Sequence, residues 1–180
     1  MKINDNRIRR IGRMLYLFIW AIVVPCSCIE EEEPAEEVVT VGQRLPDFEV
    51  VMSDSTTLTG AMLREDPSLV MFFHTACPDC QRTLPRVQRL YEEFGDRMRF
   101  ALISREDSET SVAVYWKENA LTLPYSAQDD RDIYELFAYR RVPRIYVSDS
   151  TGTIRHIFTD DPIPTEEILE EAIRNVSHEQ

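Results

Sequence analysis

Apolar residues in this chain fall into short runs divided by polar turns, with one longer run near the N-terminus. Residues 69–73 are continuously apolar. That run is too short for a buried helix and predicts a strand covered on both faces. From Cys80 the spacing changes to that of a helix. Cys80, Leu84, Val87, Leu90, Tyr91 and Phe94 share one face, and Gly95 is expected to close the helix. Residues 99–104 predict a second buried strand. Residues 48–53 alternate loosely and 57–59 return after a turn at 54–56, which predicts a small strand pair. Residues 109–119 predict a helix with Val112, Ala113, Tyr115 and Trp116 inward. A further helix is expected over 129–138 through Ile133, Leu136 and Phe137. Residues 144–148 and 153–158 flank a turn signal at 149–152 and predict a hairpin. Thr165 is placed to cap a last helix, with Glu166 and Glu167 in its first turn. Ile168, Leu169, Ala172, Ile173 and Val176 share its apolar face. Strands alternating with helices, then a hairpin and a helix, imply a three-layer α/β domain.

The longer apolar run reads differently. Residues 14–24 are eleven apolar residues behind Lys2, Arg7, Arg9, Arg10 and Arg13. Eleven is too few to span a bilayer and fits the core of a secretory signal. Cys26 and Cys28 follow, so residues 1–28 resemble a bacterial lipoprotein signal, in which a cysteine carries the lipid. Cys28 is the better acceptor because the small Ser27 precedes it; Cys26, behind Pro25, is the alternative. An uncleaved anchor with its basic end inside is the other reading. Residues 29–40 are expected to form an acidic tether, solvated and extended because like charge and missing periodicity give it nothing to bury. The folded domain is expected over 41–180, with its lead-in near Val38. The acidic run resembles a surface-export signal of some Gram-negative lipoproteins, and a plain spacer accounts for it equally. The expected location is the cell envelope of a Gram-negative bacterium, lipid-anchored, with the domain in the periplasm or on the surface.

Charge narrows the partners. The formal net charge is −12, and beyond the basic N-terminus it is about −16. That excludes nucleic acid and broad contact with an anionic membrane surface as expectations.

The chemistry sits where the first buried strand meets its helix, at Cys77-Pro78-Asp79-Cys80. Unpaired N–H groups and the helix dipole favour negative charge there. A thiol in that place is expected to have a lowered pKa, and its thiolate is the nucleophile of disulfide exchange. Cys77, at the helix start, is expected to attack. Cys80, one turn further in, is expected to be buried and to resolve. The two-residue spacer on a helical turn lets the sulfurs bond without backbone movement. Pro78 suits a first helical turn because it has no N–H to satisfy. A lone CxxC can also be half of a zinc site or a structural disulfide, but a zinc site wants a second pair, and the only other cysteines lie in the signal segment. A redox motif is the more natural reading after a buried strand. His74 is the only imidazole near the motif, and reads more readily as a packed strand-end residue than as a catalytic one. Asp79 is expected to be solvated and to oppose the thiolate.

These residues resemble the thioredoxin-like superfamily, in particular the TlpA/ResA-type membrane-anchored thiol-disulfide oxidoreductases. The resemblance covers Val41 to Val176: the entry segment 41–48, Phe72-Phe73 before the CxxC, Pro85 five residues after Cys80, a helix-containing insertion over 105–128, and Val142-Pro143. It implies a thioredoxin-like three-layer sandwich. A central mixed sheet is flanked by helices, with an N-terminal strand extension and the helical insertion. It implies a cis peptide at Val142–Pro143 and a substrate-facing surface of Val142, Pro143, Pro78 and Asp79. It implies exchange with protein thiols and disulfides, reduction fed by a membrane electron donor, and no cofactor or metal beyond the redox pair. The sequence departs from the family pattern at three places: Ala76 stands where Trp is common, Met71 where many thioredoxins bury Asp, and Thr83 where many ResA-type proteins carry Glu. Arg140, Arg141 and Arg144 surround the proline, and a cation there would lower the thiol pKa and favour acidic partners. Pairing with surface carboxylates is the equal alternative. A peroxiredoxin would need Pro and Thr or Ser where Val70 and His74 stand. A peroxide-reducing or client-binding module on the same fold is the remaining alternative.

Overall fold

The computed structural model describes residues 37–177; Cys26, Cys28 and the expectations placed on residues 1–36 lie outside the described residues. Strand β1 (Glu49–Val51) pairs antiparallel with β2 (Thr57–Thr59) as a separate two-stranded sheet. Thr59 caps the short α1 (Gly60–Leu63). The main sheet then begins with β3 (Ser68–Phe73), all six residues of which are buried. Helix α2 (Pro78–Phe94), β4 (Arg99–Ser104), α3 (Glu109–Glu118) and β5 (Tyr125–Ser126) follow. The one-turn α4 (Asp132–Glu135) leads to β6 (Arg144–Ser148), β7 (Ile154–Phe158) and α5 (Glu166–Ser177).

The five-stranded sheet has the order β5-β4-β3-β6-β7. β3 runs parallel to β4 and antiparallel to β6, with Met71 opposite Leu102 on one side and Ile145 on the other. The continuous apolar run explains the central place of β3: a strand flanked by strands and covered on both faces has no polar side to show. α2 lays Cys80, Leu84, Val87, Leu90 and Phe94 into the core. α5 is fastened alongside it by Arg89 to Glu166 and Arg174 to Glu93. Among the described residues no helix is long and apolar enough to cross a membrane.

Several expectations are corrected by packing. The helix expected over 129–138 is the single turn α4; Tyr134 within it is buried, and Leu136, just past its end, is 38% exposed. Phe72 decides this, because its ring meets Tyr134 at 5.3 Å and Phe137 at 4.8 Å and draws those two inward. In α3 only Val112 and Trp116 are buried and Ala113 faces out, while the Trp116 ring packs at a tilt against Phe73 and Tyr125 and its N–H donates to the Leu123 carbonyl at 2.9 Å. Ile168 of α5 is likewise exposed. Gly95 does end α2, but with φ −60°, so it serves without the left-handed conformation. The 41–48 entry segment is irregular chain rather than strand. It is held by Gly42 N–H to the Ile154 carbonyl and Leu45 N–H to the Gly152 carbonyl.

Two polar side chains buried in α2 were invisible to a hydrophobic pattern. The Gln88 carbonyl oxygen accepts from the Thr122 and Leu123 amides at 2.8 and 3.0 Å, and its NH2 donates to Thr122 Oγ1 at 2.8 Å. This clasp docks the insertion on α2. Thr83 donates to the Asp79 carbonyl one turn back. The lead-in expected near Val38 is packed on the domain. Glu37 bridges Ala138, the Val38 amide donates to the Phe137 carbonyl at 2.9 Å, and Val39 is buried. The end of the expected tether is thus packed chain, because the 137–138 main chain offers it hydrogen bonds that water would otherwise supply.

Candidate active site

Cys77 is the N-cap of α2, with extended backbone and Pro78 following in the first turn. The strand-to-helix turn is closed by the Cys77 amide to the His74 carbonyl and the Gln81 amide to the Cys77 carbonyl, each at 3.0 Å. Cys77 is partly exposed, Cys80 fully buried, and both are thiols. The Cys77 thiol donates to the Val142 carbonyl at 3.3 Å, and the Val142–Pro143 peptide is cis, as the family resemblance implied. The order of elements thus brings two segments 65 residues apart onto one sulfur.

Burial pushes the Cys80 thiol well above its ordinary pKa, the His74 backbone amide offsets part of this, and a hydrogen bond with Cys77 adds to the rise. The sign gives a prediction. A thiol whose folded pKa is raised adds stability that is complete below its unfolded value of 9.0 and is lost as pH climbs above it. The reduced protein is therefore expected to lose stability above that pH, and Cys80→Ala to remove this part of the slope. Urea unfolding of both at several alkaline pH values reads the difference; identical slopes would contradict the burial argument.

Asp79 is not simply solvated: its carboxylate pairs with Arg82 one turn along, which offsets its charge beside the thiols. His74 is held at both ring nitrogens. Nδ1 accepts from the Ala76 amide at 3.1 Å, and Nε2 lies 3.3 Å from the Asp107 carboxylate. That pattern assigns the proton to Nε2. The other Asp107 oxygen accepts from the Thr75 amide at 2.6 Å. His74 and Asp107 together brace the 74–77 turn. Met71 is core, and Thr83 is tied to the helix backbone, so neither position supplies a carboxylate to the buried thiol.

The three arginines separate. Arg144, fully buried, stands in β6 opposite Phe72. Its guanidinium pairs with Glu37 and donates through Nε to the Arg140 carbonyl at 2.8 Å. It is therefore part of the scaffold under the loop, and of the two expectations for the three arginines it follows carboxylate pairing, with the pair buried rather than on the surface. Arg140 offers that carbonyl, and its side chain lies on the exposed side. Arg141, at φ 69°, lines a shallow groove of about 320 Å³ with His74, Ala76, Cys77, Arg105 and Val142, and its guanidinium is 3.7 Å from Asp160. Arg105 is the cation that sequence reasoning missed. The signal was available: it follows the last residue of β4, which pairs in parallel with Phe73, so its amide bonds the Phe73 carbonyl at 2.7 Å. The ends of parallel strands gather at one edge, where sites form. Arg105 in turn pairs with Glu106. Among the described residues no group of three His, Cys, Asp or Glu side chains is placed to hold a metal.

Comparison with known proteins agrees with this architecture. A family model described as the AhpC/TSA family matches residues 41–157. A thiol-disulfide oxidoreductase ResA of Oceanobacillus iheyensis is 24% identical over 161 residues, covering 87% of this chain and 84% of the relative. A thiol-disulfide oxidoreductase YkuV of Bacillus subtilis is 25% identical over 100 residues, covering 53% and 68%. Among solved structures, a thiol:disulfide interchange protein of the thioredoxin family from Chlorobium tepidum superposes with TM-score 0.67 at 17% identity, covering 77% of this chain and 99% of that one. A thio-disulfide isomerase from Thermus thermophilus gives TM-score 0.63 at 26% identity, covering 77% and 97%. A match over well more than half of the chain, on a thioredoxin fold, means that the chain belongs to the AhpC/TSA family, in its ResA-type branch.

Proposed function

We propose that the protein is a cell-envelope thiol-disulfide oxidoreductase that reduces protein disulfides, with Cys77 attacking and Cys80 resolving. The observation that carries this is the sulfur arrangement. A partly exposed thiol at a helix N-terminus faces the Val142 carbonyl, and a buried thiol lies one turn behind it. In the reaction the Cys77 thiolate attacks one sulfur of the substrate disulfide. The S–S bond breaks, one substrate sulfur leaves with the electron pair and takes a proton, and a mixed disulfide remains. Cys80 then loses its proton and attacks Cys77 Sγ, which expels the second substrate thiolate. The substrate gains two electrons and the protein holds a Cys77–Cys80 disulfide, to be reduced by a dithiol donor at the membrane. No cofactor enters these steps. Loss of the Cys77 S–H frees the Val142 carbonyl to accept an amide from an extended substrate segment, with Pro143, Pro78 and Asp79 beside it. Arg141 and His74 border the groove.

Reduction of insulin by the full chain with a dithiol donor tests the activity. Precipitation no faster than with the donor alone would reject it, and peroxide consumption under the same conditions would favour a peroxide-reducing module. The relatives named as thiol-disulfide oxidoreductases support the class. The basic and apolar N-terminus supports a lipid anchor on Cys28, with residues 1–28 as signal and the acidic residues that follow as tether. In cells the protein is expected to incorporate labelled palmitate, and Cys28→Ala to lose the label. Label that persists moves the site to Cys26; an unlabelled wild type removes the anchor.

A further inference from the structure

Arg144 is among the largest side chains fully buried in this protein. A guanidinium enters a core only with charge and hydrogen-bond partners. Glu37, from the segment that leads into the domain, supplies both. One carboxylate oxygen meets the Arg144 guanidinium, and the other accepts from the Tyr146 hydroxyl at 3.2 Å. The guanidinium in turn donates to the Arg140 carbonyl at 2.8 Å, and the Tyr134 hydroxyl lies 2.6 and 2.5 Å from the Arg140 and Arg141 carbonyls. Glu37 is also joined through its main chain to Ala138. A single residue is thus tied to the start and the middle of the loop that ends in Val142–Pro143, whose Val142 carbonyl faces Cys77.

We propose that Glu37 is a positioning residue for the substrate-facing loop. Its carboxylate holds the Arg144 guanidinium, the guanidinium holds the Arg140 carbonyl, and the Val142 carbonyl is thereby set opposite the attacking sulfur. The inference rests on reading that loop as the edge where substrate docks. Without the carboxylate, the buried cation loses one of its partners and is held less firmly toward the Arg140 carbonyl. The Arg140 carbonyl then loses a fixed donor. The thiols, held by α2 and β3, stay where they are. The effect therefore falls on docking and not on the sulfur chemistry.

The test uses the full chain with Glu37→Ala and Glu37→Gln. Amide hydrogen exchange is followed in peptides covering 137–144 and, for reference, 78–94. In Glu37→Ala the loop amides are expected to exchange about tenfold faster while those of α2 stay unchanged. The Michaelis constant for insulin is expected to rise about fivefold, with kcat and the reaction with a small aromatic disulfide held within about twofold. Glu37→Gln, which keeps the shape and an acceptor, should fall between. Unchanged exchange at 137–144 would overturn the inference whatever the activity. Faster exchange spread equally through α2 would also overturn it, because it reports general loosening. Faster loop exchange with an unchanged insulin constant would keep the latch and reject the docking role of the loop.

Discussion

Cys77→Ser is expected to reduce disulfide exchange to background, and Cys80→Ser to attack once and then stall with its substrate covalently attached. The two outcomes differ because the sulfurs have different surroundings. Cys77 is reachable and sits at the start of a 17-residue helix, where first-turn amides and the dipole favour a negative sulfur. A serine hydroxyl there remains protonated and does not attack a disulfide. Cys80 is fully buried, and that burial holds its thiol in the protonated form. It meets no incoming substrate directly and acts only on the mixed disulfide that Cys77 presents. Mass spectrometry of each variant after mixing with a protein disulfide reads the result, as does the rate of alkylation of each thiol. Equal, fast alkylation of both cysteines in the reduced protein would sink the division of labour. In cells, the stalled adduct of Cys80→Ala is the direct route to the physiological substrate.

Phe72→Ala is expected to cost about 3–5 kcal/mol, the range for emptying a large aromatic from a core. Phe72 is fully buried and its ring touches three others: Phe137 at 4.8 Å, Tyr134 at 5.3 Å and Tyr146 at 6.3 Å. Phe137 and Tyr146 also meet each other at 5.1 Å, so the ring fills the middle of a cluster and its loss cannot be healed by one neighbour. Tyr134 and Tyr146 carry the hydroxyls that reach the Arg140 carbonyl and Glu37, so the cavity opens directly beneath the loop. Urea unfolding measures the loss. Phe72→Leu, which keeps most of the volume, should cost distinctly less. A loss below about 1 kcal/mol for Phe72→Ala would mean that the cluster collapses to fill the space, and that the aromatic contacts do not set the loop.

The sequence by itself determined the elements whose neighbours are implied by their own pattern. Residues 69–73 are apolar at every position, which only a central strand can use, and β3 is that strand. The α2 stripe, the 149–152 turn and the placement of the CxxC at a strand-to-helix junction are local in the same sense, since backbone and nearby side chains settle them. The fold class followed from the order of these elements, and Val142–Pro143 from resemblance. Tertiary structure decided what depends on residues distant in the chain. Tyr134 rather than Leu136 turns inward because Phe72 waits there, and Gln88 is buried because the insertion brings two amides to it. Arg144 reads in sequence as one of three cations near the proline. Only the sheet shows it buried opposite Phe72, facing a carboxylate 107 residues earlier. Arg105 joins Cys77 for the same reason, because parallel pairing brings the ends of β3 and β4 to one edge. Periodicity records which face of an element is apolar. It carries no record of which distant charge or amide that face will meet, because that pairing forms only once the chain has closed on itself.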